Sequence, residues 1–185
     1  MRVLGISGSL RRDSLNDALL RAAAERLPAG AELIVYDGLA QIPPYDEDVE
    51  VAAVPEVVQE LREAIRDADA VLIATPEYNH SIPGQLKNAL DWVSRPAGKS
   101  ALNGTPVAVI GASTGMFGAV WAQAELRKVL GALGGRVIEA ELPVAYAAEL
   151  REGEQLKLEP SQSAQLDDIL AQLVEAAEPA AALAA

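Results

Sequence analysis

Five short runs of apolar residues recur along the chain, and between them apolar residues return every three or four positions. The runs are Val3 to Ser7, Glu32 to Tyr36, Ala70 to Ala74, Pro106 to Gly111 and Arg136 to Ala140. Their length and bounding turn residues predict strands, and their lack of polar alternation predicts strands buried on both faces. Helical spacing appears over Ser14 to Leu27, where Leu15, Ala18, Leu19 and Ala22 share a face, and after Pro55, where Val57, Val58, Leu61 and Ile65 do. Further helices are predicted over Gly84 to Val93, over Val120 to Leu133, which Gly134-Gly135 closes, and over Gln165 to Ala176. Ser14 stands three residues before Asp17, a variant of the capping box. Asp37 to Ala53 reads as a long loop with an acidic patch, Asp46, Glu47, Asp48 and Glu50.

Strand and helix thus alternate five times, which predicts an α/β fold with a parallel sheet and right-handed crossovers. Five strands suggest a flavodoxin-like three-layer sandwich with strand order 2-1-3-4-5, in which ligands sit beside the carboxyl ends of strands 1 and 3. Residues 1–178 read as one domain, and the alanine-rich tail 179–185 is expected to be disordered.

Two unusual loops fall at those two strand ends. The first, Gly8-Ser9-Leu10-Arg11-Arg12-Asp13-Ser14-Leu15-Asn16, runs from a strand into a helix. A helix N-terminus offers free N–H groups and a positive dipole end, which suit a phosphate. Ser9, Ser14 and Asn16 add side-chain donors, and Arg11 adds charge-assisted ones. Neither the phosphate loop ending in Gly-Lys-Ser/Thr nor the dinucleotide glycine fingerprint is present, so an ordinary serine-capped turn stands as the alternative. The second loop, Thr75-Pro76-Glu77-Tyr78-Asn79-His80-Ser81-Ile82-Pro83-Gly84, combines a ring, amides and two prolines. Its rigidity suits a flat ligand, with Pro76 and Tyr78 giving apolar contact and the amides of Glu77 to Asn79 reaching polar ring atoms. Ser113-Thr114-Gly115, after the fourth strand, is a third candidate.

Charge sharpens this picture. The chain of 185 residues carries a net −12, which disfavours nucleic acid as a partner. Residues 1–26 run the other way, with five arginines against Asp13, Asp17 and Glu25, a sum of +2 that leaves −14 for the rest. There is no cysteine, so disulfides, cysteine-ligated zinc and cysteine nucleophiles are out. No signal-type segment opens the sequence and no run of about 18 apolar residues occurs, so a cytoplasmic protein with no membrane span is expected. His80, the single histidine, lacks a visible carboxylate partner and is expected at a ring edge rather than as a general base. Asp37, after the second strand, imitates the ribose-binding acid of dinucleotide folds, but without the glycine fingerprint it reads as a loop acid. The acidic patch reads as solvated rather than metal-binding, since consecutive acids point in different directions. Trp92 and Trp121 are expected in core or subunit contacts.

The stretches G-S-L-R-x-x-S-x-N and P-E-Y-N-x-S-x-P-G-x-L-K-N-A-x-D-W resemble the NADPH-dependent FMN reductase family, and within it the bacterial quinone, chromate and azo-dye reductases. The likeness runs over roughly residues 2 to 140. It implies FMN bound without a covalent link, NADPH or NADH as electron donor, and ping-pong transfer to quinones, chromate, azo dyes or similar small acceptors. No side chain would be catalytic, because the flavin carries the chemistry. By position, Ser9, Arg11, Ser14 and Asn16, with Leu15 in their loop, would hold the phosphate. Pro76, Glu77, Tyr78 and Asn79 would line the ring, and Ser113 and Gly115 would approach it from the fourth strand. The resemblance also implies a homodimer or homotetramer. An electron carrier without its own nicotinamide step is the alternative, and it fits less well because Tyr78 is the one aromatic residue in the two loops.

Overall fold

The structure is a computed structural model that describes residues 1–178; the expected disordered tail lies outside the described residues. In chain order, β1 (Arg2–Ser7) leads into α1 (Leu15–Arg26), β2 (Glu32–Tyr36), a 3-10 turn (Gly38–Gln41), α2 (Glu47–Ala52) and α3 (Glu56–Arg66). Then come β3 (Ala70–Thr75), α4 (Gly84–Val93), β4 (Pro106–Ala112) and α5 (Val120–Ala132). The chain ends with β5 (Arg136–Val137), β6 (Pro143–Val144), the hairpin β7 (Arg151–Glu152) and β8 (Gln155–Leu156), and α6 (Pro160–Ala177).

The parallel sheet has the expected order β2-β1-β3-β4-β5, with β6 also paired to β4. Alternate residues of each strand face opposite layers. Leu4, Ile6, Val71, Ile73, Val107 and Val109 pack with α3, α4 and α5. Val3, Ala70, Leu72, Ala74, Ala108 and Ile110 pack with α1 and α6. Helices therefore cover both faces, and the direction of winding reverses between β1 and β3. Strands buried on both sides cannot alternate in polarity, which is why β1, β3 and β4 read as continuous apolar runs. β2 differs: it lies at the edge, and Ile34 and Val35 are partly exposed.

Three expectations need correction. The fifth strand was expected over Arg136 to Ala140, but β5 stops at Val137 and the chain returns to β4 only at β6, pairing Gly111 with Pro143. Buried Gln123 holds the detour: its carboxamide donates to Leu142 O at 3.2 Å and to Gly118 O at 3.0 Å, and accepts from Leu142 N–H at 3.0 Å. The acidic patch is a short helix, α2, capped by the Asp46 carboxylate on Asp48 N–H at 2.9 Å. Arg95 donates to Glu50 at 2.9 Å and to Glu47 at 3.3 Å, and the Tyr45 hydroxyl donates to Glu50 at 3.0 Å. The hydrogen bond from Arg95 holds the Glu50 carboxyl below its usual range, burial opposes this, and the Tyr45 hydroxyl adds to it. Finally, α6 starts earlier than expected, with Pro160 in its first turn and a capping box between Glu159 and Gln162.

Candidate functional site

The loops after β1, β3 and β4 meet at the carboxyl end of the sheet, where β1 and β3 are neighbours. Gly8 N–H donates to Ala74 O at 2.8 Å. A Cβ on Gly8 would meet Leu86 Cδ2 at 3.0 Å and Pro76 Cδ at 3.3 Å, so a side chain there would press the first two loops apart by a few tenths of an ångström.

The first loop ends at Ser14, the N-cap of α1, whose hydroxyl accepts from Asn16 and Asp17 N–H, each at 3.1 Å. The reciprocal half of the expected capping box is missing, and Asp17 Oδ1 is buried without a partner among the described residues. Asn16 has a different job from the phosphate donor expected of it. Its buried carboxamide donates to Ala112 O at 3.1 Å and accepts from Ala112 N–H at 3.0 Å, pinning α1 to the end of β4. The backbone N–H groups of Arg12, Asp13, Ser14 and Leu15 donate to no group among the described residues. Together with the positive end of α1 these open donors suit an anion. The exposed Arg11 side chain lies beside it.

The second loop is a tight hairpin. Tyr78 and Ser81 exchange both backbone hydrogen bonds, at 3.0 and 3.1 Å. Asn79 and His80 between them have φ of 53° and 61°, the paired positive values of a type I′ turn. The Glu77 carboxylate accepts from Trp121 and Ala122 N–H at 3.0 and 3.2 Å. It thereby caps α5, whose N-cap residue Ala119 offers no side chain for the task. Ser81 adds a second tie, donating from its hydroxyl to Glu125 at 2.6 Å. His80 stands edge-on to Trp121 with ring centroids 4.7 Å apart, and Nδ1 lies 3.7 Å from Glu77 Oε1. Trp121 in turn meets Phe117 at 4.6 Å. Tyr78, Phe117, Met116 and Trp121 are all substantially exposed, whereas Trp92 is fully buried.

The third loop is fixed from the far side. Ser113 N–H donates to Val144 O at 3.1 Å, and Tyr146 N–H donates to Gly115 O at 3.0 Å. Gly118, at φ of 56°, lies so close to Pro143 that any side chain there would strike backbone.

A cavity of about 100 Å³ lies where the three loops converge. Ser9, Arg11, Ser14, Leu15, Asn16, Pro76, Glu77, Tyr78 and Ser113 all line it. Asn79 and Gly115 do not: Asn79 is at the outer tip of the hairpin, and Gly115 lies beyond the lining residue Thr114. Sequence reasoning also left out Ala112, which lines the cavity with its neighbours Ser113 and Thr114. The donors at the cavity suit a phosphomonoester: Ser14 and Leu15, whose N–H groups are open at the N-terminus of α1, line it with Arg11, whereas Arg12 and Asp13 do not. The cavity is half open, and its volume of about 100 Å³ is below the range of roughly 300–1,000 Å³ common for cofactor sites, so much of a flavin would lie on the open side, beside exposed Tyr78.

Among the described residues no helix is long and apolar enough to cross a membrane. Comparison with known proteins agrees with this geometry. The profile of the family described as NADPH-dependent FMN reductase matches residues 1–149. An NAD(P)H-dependent FMN reductase of Pseudomonas aeruginosa is 49% identical over 130 residues, covering 70% of this chain and 69% of that protein. A quinone reductase of Escherichia coli K12 is 42% identical over 131 residues, covering 70% of this chain and 69% of that protein. Among solved structures, the flavoenzyme NAD(P)H:(acceptor) oxidoreductase FerB of Paracoccus denitrificans superposes with a TM-score of 0.82 at 35% identity, covering 95% of this chain and 96% of that one. The flavodoxin-like sheet is thus that of a flavin enzyme that uses FMN as cofactor and a reduced nicotinamide as donor, and the chain belongs to the NADPH-dependent FMN reductase family.

Proposed function

We propose that this protein passes electrons from NADH or NADPH to quinones and similar small acceptors, chromate and azo dyes among them, in a ping-pong cycle. Bound FMN supplies the hydride chemistry. The chain's own residues bind and orient. The N–H groups of Ser14 and Leu15 and the Arg11 guanidinium hold the phosphate, with Ser9 at its side. Asn16 holds that loop in register with β4. Pro76, Glu77 and Tyr78 line the ring, and the ties from Glu77 and Ser81 to α5 keep their hairpin from moving. No side chain is assigned a proton transfer, and His80 stays at the edge.

The observation that carries this reading is the convergence of three loops, distant in sequence, on one cavity with open N–H donors at one side and a rigid hairpin at the other. The exposed side of the hairpin leaves room for a nicotinamide and then an acceptor in turn, which favours an enzyme over a pure electron carrier. Names of the relatives point the same way, since several are quinone reductases. We further infer that residues 1–178 act as one FMN-binding unit, and that the protein works in the cytoplasm, where reduced nicotinamide is abundant. The exposed Met116, Phe117 and Trp121 beside the cavity support a homodimer or a tetramer of dimers with this lip at the contact.

Anaerobic titration of the FMN-loaded protein with NADH or NADPH, then with a quinone, tests the cycle. Bleaching of the flavin band by the nicotinamide and its full return on adding quinone is expected. A flavin that the nicotinamide does not reduce would leave the carrier reading. Light scattering tests assembly: a 19.4 kDa monomer with full activity would remove the subunit contact.

A further inference from the structure

The β7–β8 hairpin lies outside the stretch that the family profile matches, since that match ends at residue 149. Its two strands pair Arg151 with Leu156 and Glu152 with Gln155, and Gly153 turns between them at a φ of 63°. The hairpin is docked on α1. Leu156 is buried in the layer that also holds Leu19, Leu20 and Ala23 of that helix. Arg21 of α1 donates to Glu154 O from Nε and Nη2, at 3.1 and 2.8 Å, and Gln155 donates to the Glu25 carboxylate at 3.0 Å.

From this frame Arg151 reaches the loop before α1. Its Nη1 donates to Asp13 O at 2.9 Å, while Nε donates to Gly153 O at 2.8 Å, so the hairpin's own turn sets the plane of the guanidinium. Nη2 stands 3.6 Å from the Asp13 carboxylate, which is largely exposed, so that ion pair contributes little. The contact with the carbonyl matters more. Asp13 O belongs to the peptide whose other end is the Ser14 N–H, and in a planar trans peptide the C=O and N–H point opposite ways. Ser14 lines the cavity, and its N–H donates to no group among the described residues. Arg151 is not among the lining residues. A grip on the carbonyl from behind fixes the direction of the N–H in front. A cationic donor on that oxygen also polarises the peptide and makes its N–H a stronger donor.

We propose that Arg151 is a positioning residue for the flavin phosphate, acting through the Asp13–Ser14 peptide to aim and strengthen the Ser14 N–H. This rests on the phosphate assignment made above. The hairpin is then the frame that holds the arginine still. An arginine that only capped its own turn through Gly153 would act on stability and treat all flavins alike.

Dissociation constants of FMN and riboflavin for wild type, Arg151→Ala and Arg151→Lys, each freed of flavin, separate these roles. They are measured at about 0.1 M and about 1 M salt, where exposed charges are screened beyond about 10 Å and about 3 Å. In Arg151→Ala, FMN is expected to weaken by about threefold to tenfold at both salt concentrations, the worth of one ordinary hydrogen bond, while riboflavin changes by less than about twofold. Arg151→Lys keeps the charge but not the planar fork, and should lose about twofold to threefold of the preference for FMN. In the 15N-labelled FMN complex, the Ser14 amide proton should move upfield in Arg151→Ala. Equal weakening of both flavins, or of neither, overturns the proposal, because Arg151 would then serve only the hairpin. A loss that disappears in high salt, or a lysine variant with the full wild-type preference, overturns it as well, because charge alone would be felt. A wild type that binds FMN and riboflavin alike removes the phosphate assignment itself, whatever Arg151 does.

Discussion

The loops after β1 and β3 stand side by side at Gly8 and Pro76, yet they are built on opposite plans. The β1–α1 loop leaves its backbone N–H groups open from Arg12 to Leu15 and is tied from outside, by Gly8 N–H on Ala74 O, by Arg151 on Asp13 O and by Asn16 on Ala112. The β3–α4 loop is closed upon itself by a two-residue hairpin and bound to α5 through Glu77 and Ser81. An anion must be gripped by donors, so that loop keeps them free. A flat ring must be met by a surface that does not move, so the other loop uses its polar groups to hold itself still and presents Tyr78.

Removing the anchors should separate the two plans. Asn16→Ala leaves the buried N–H and C=O of Ala112 without partners, and a loss of about 2–5 kcal/mol in unfolding free energy is expected, readable from the denaturant midpoint. A variant as stable as wild type would mean that water reaches Ala112 and that Asn16 is not the anchor. Arg11→Ala keeps the fold but should weaken FMN by roughly tenfold to a hundredfold, following from about 1.5–3 kcal/mol for charge-assisted contacts. Saturating FMN should restore most of the turnover; unchanged affinity would make Arg11 a surface residue.

On the hairpin side the effects should be smaller and fall on stability. Glu77→Ala uncaps α5 and should cost about 0.5–2 kcal/mol, while Glu77→Gln, whose amide oxygen still accepts, should keep most of it. Equal losses in both would show that charge, not acceptance, is what matters there. His80→Ala should retain quinone reduction within about tenfold, well short of the loss of about 10²–10⁴ expected for a general acid–base. A thousandfold drop with FMN still bound would give His80 a part in proton delivery.

Much of this architecture was legible because its signals are local. Runs such as Ala70 to Ala74 announce strands buried on both sides, and the order of βα units fixes which loops can share an edge. Helices that lack an apolar stripe escaped: α2 is held by Arg95 and Tyr45 rather than by a face, and the first turn of α6 carries few apolar residues. The detour between β5 and β6 depends on Gln123, a polar residue whose partners only the fold brings near. The same holds at the site. The loop residues could be found by motif, but not that Asn16 would turn to Ala112, 96 positions away, or that Glu77 would cap α5.

The central claim is that the β1–α1 loop is built for a phosphate. Dissociation constants of FMN and riboflavin for the protein freed of flavin test it most directly, since the two ligands differ only in that group. FMN should bind at least about tenfold to a hundredfold more tightly, the worth of one or more charge-assisted contacts. Equal affinities would contradict the assignment, whatever the ring does.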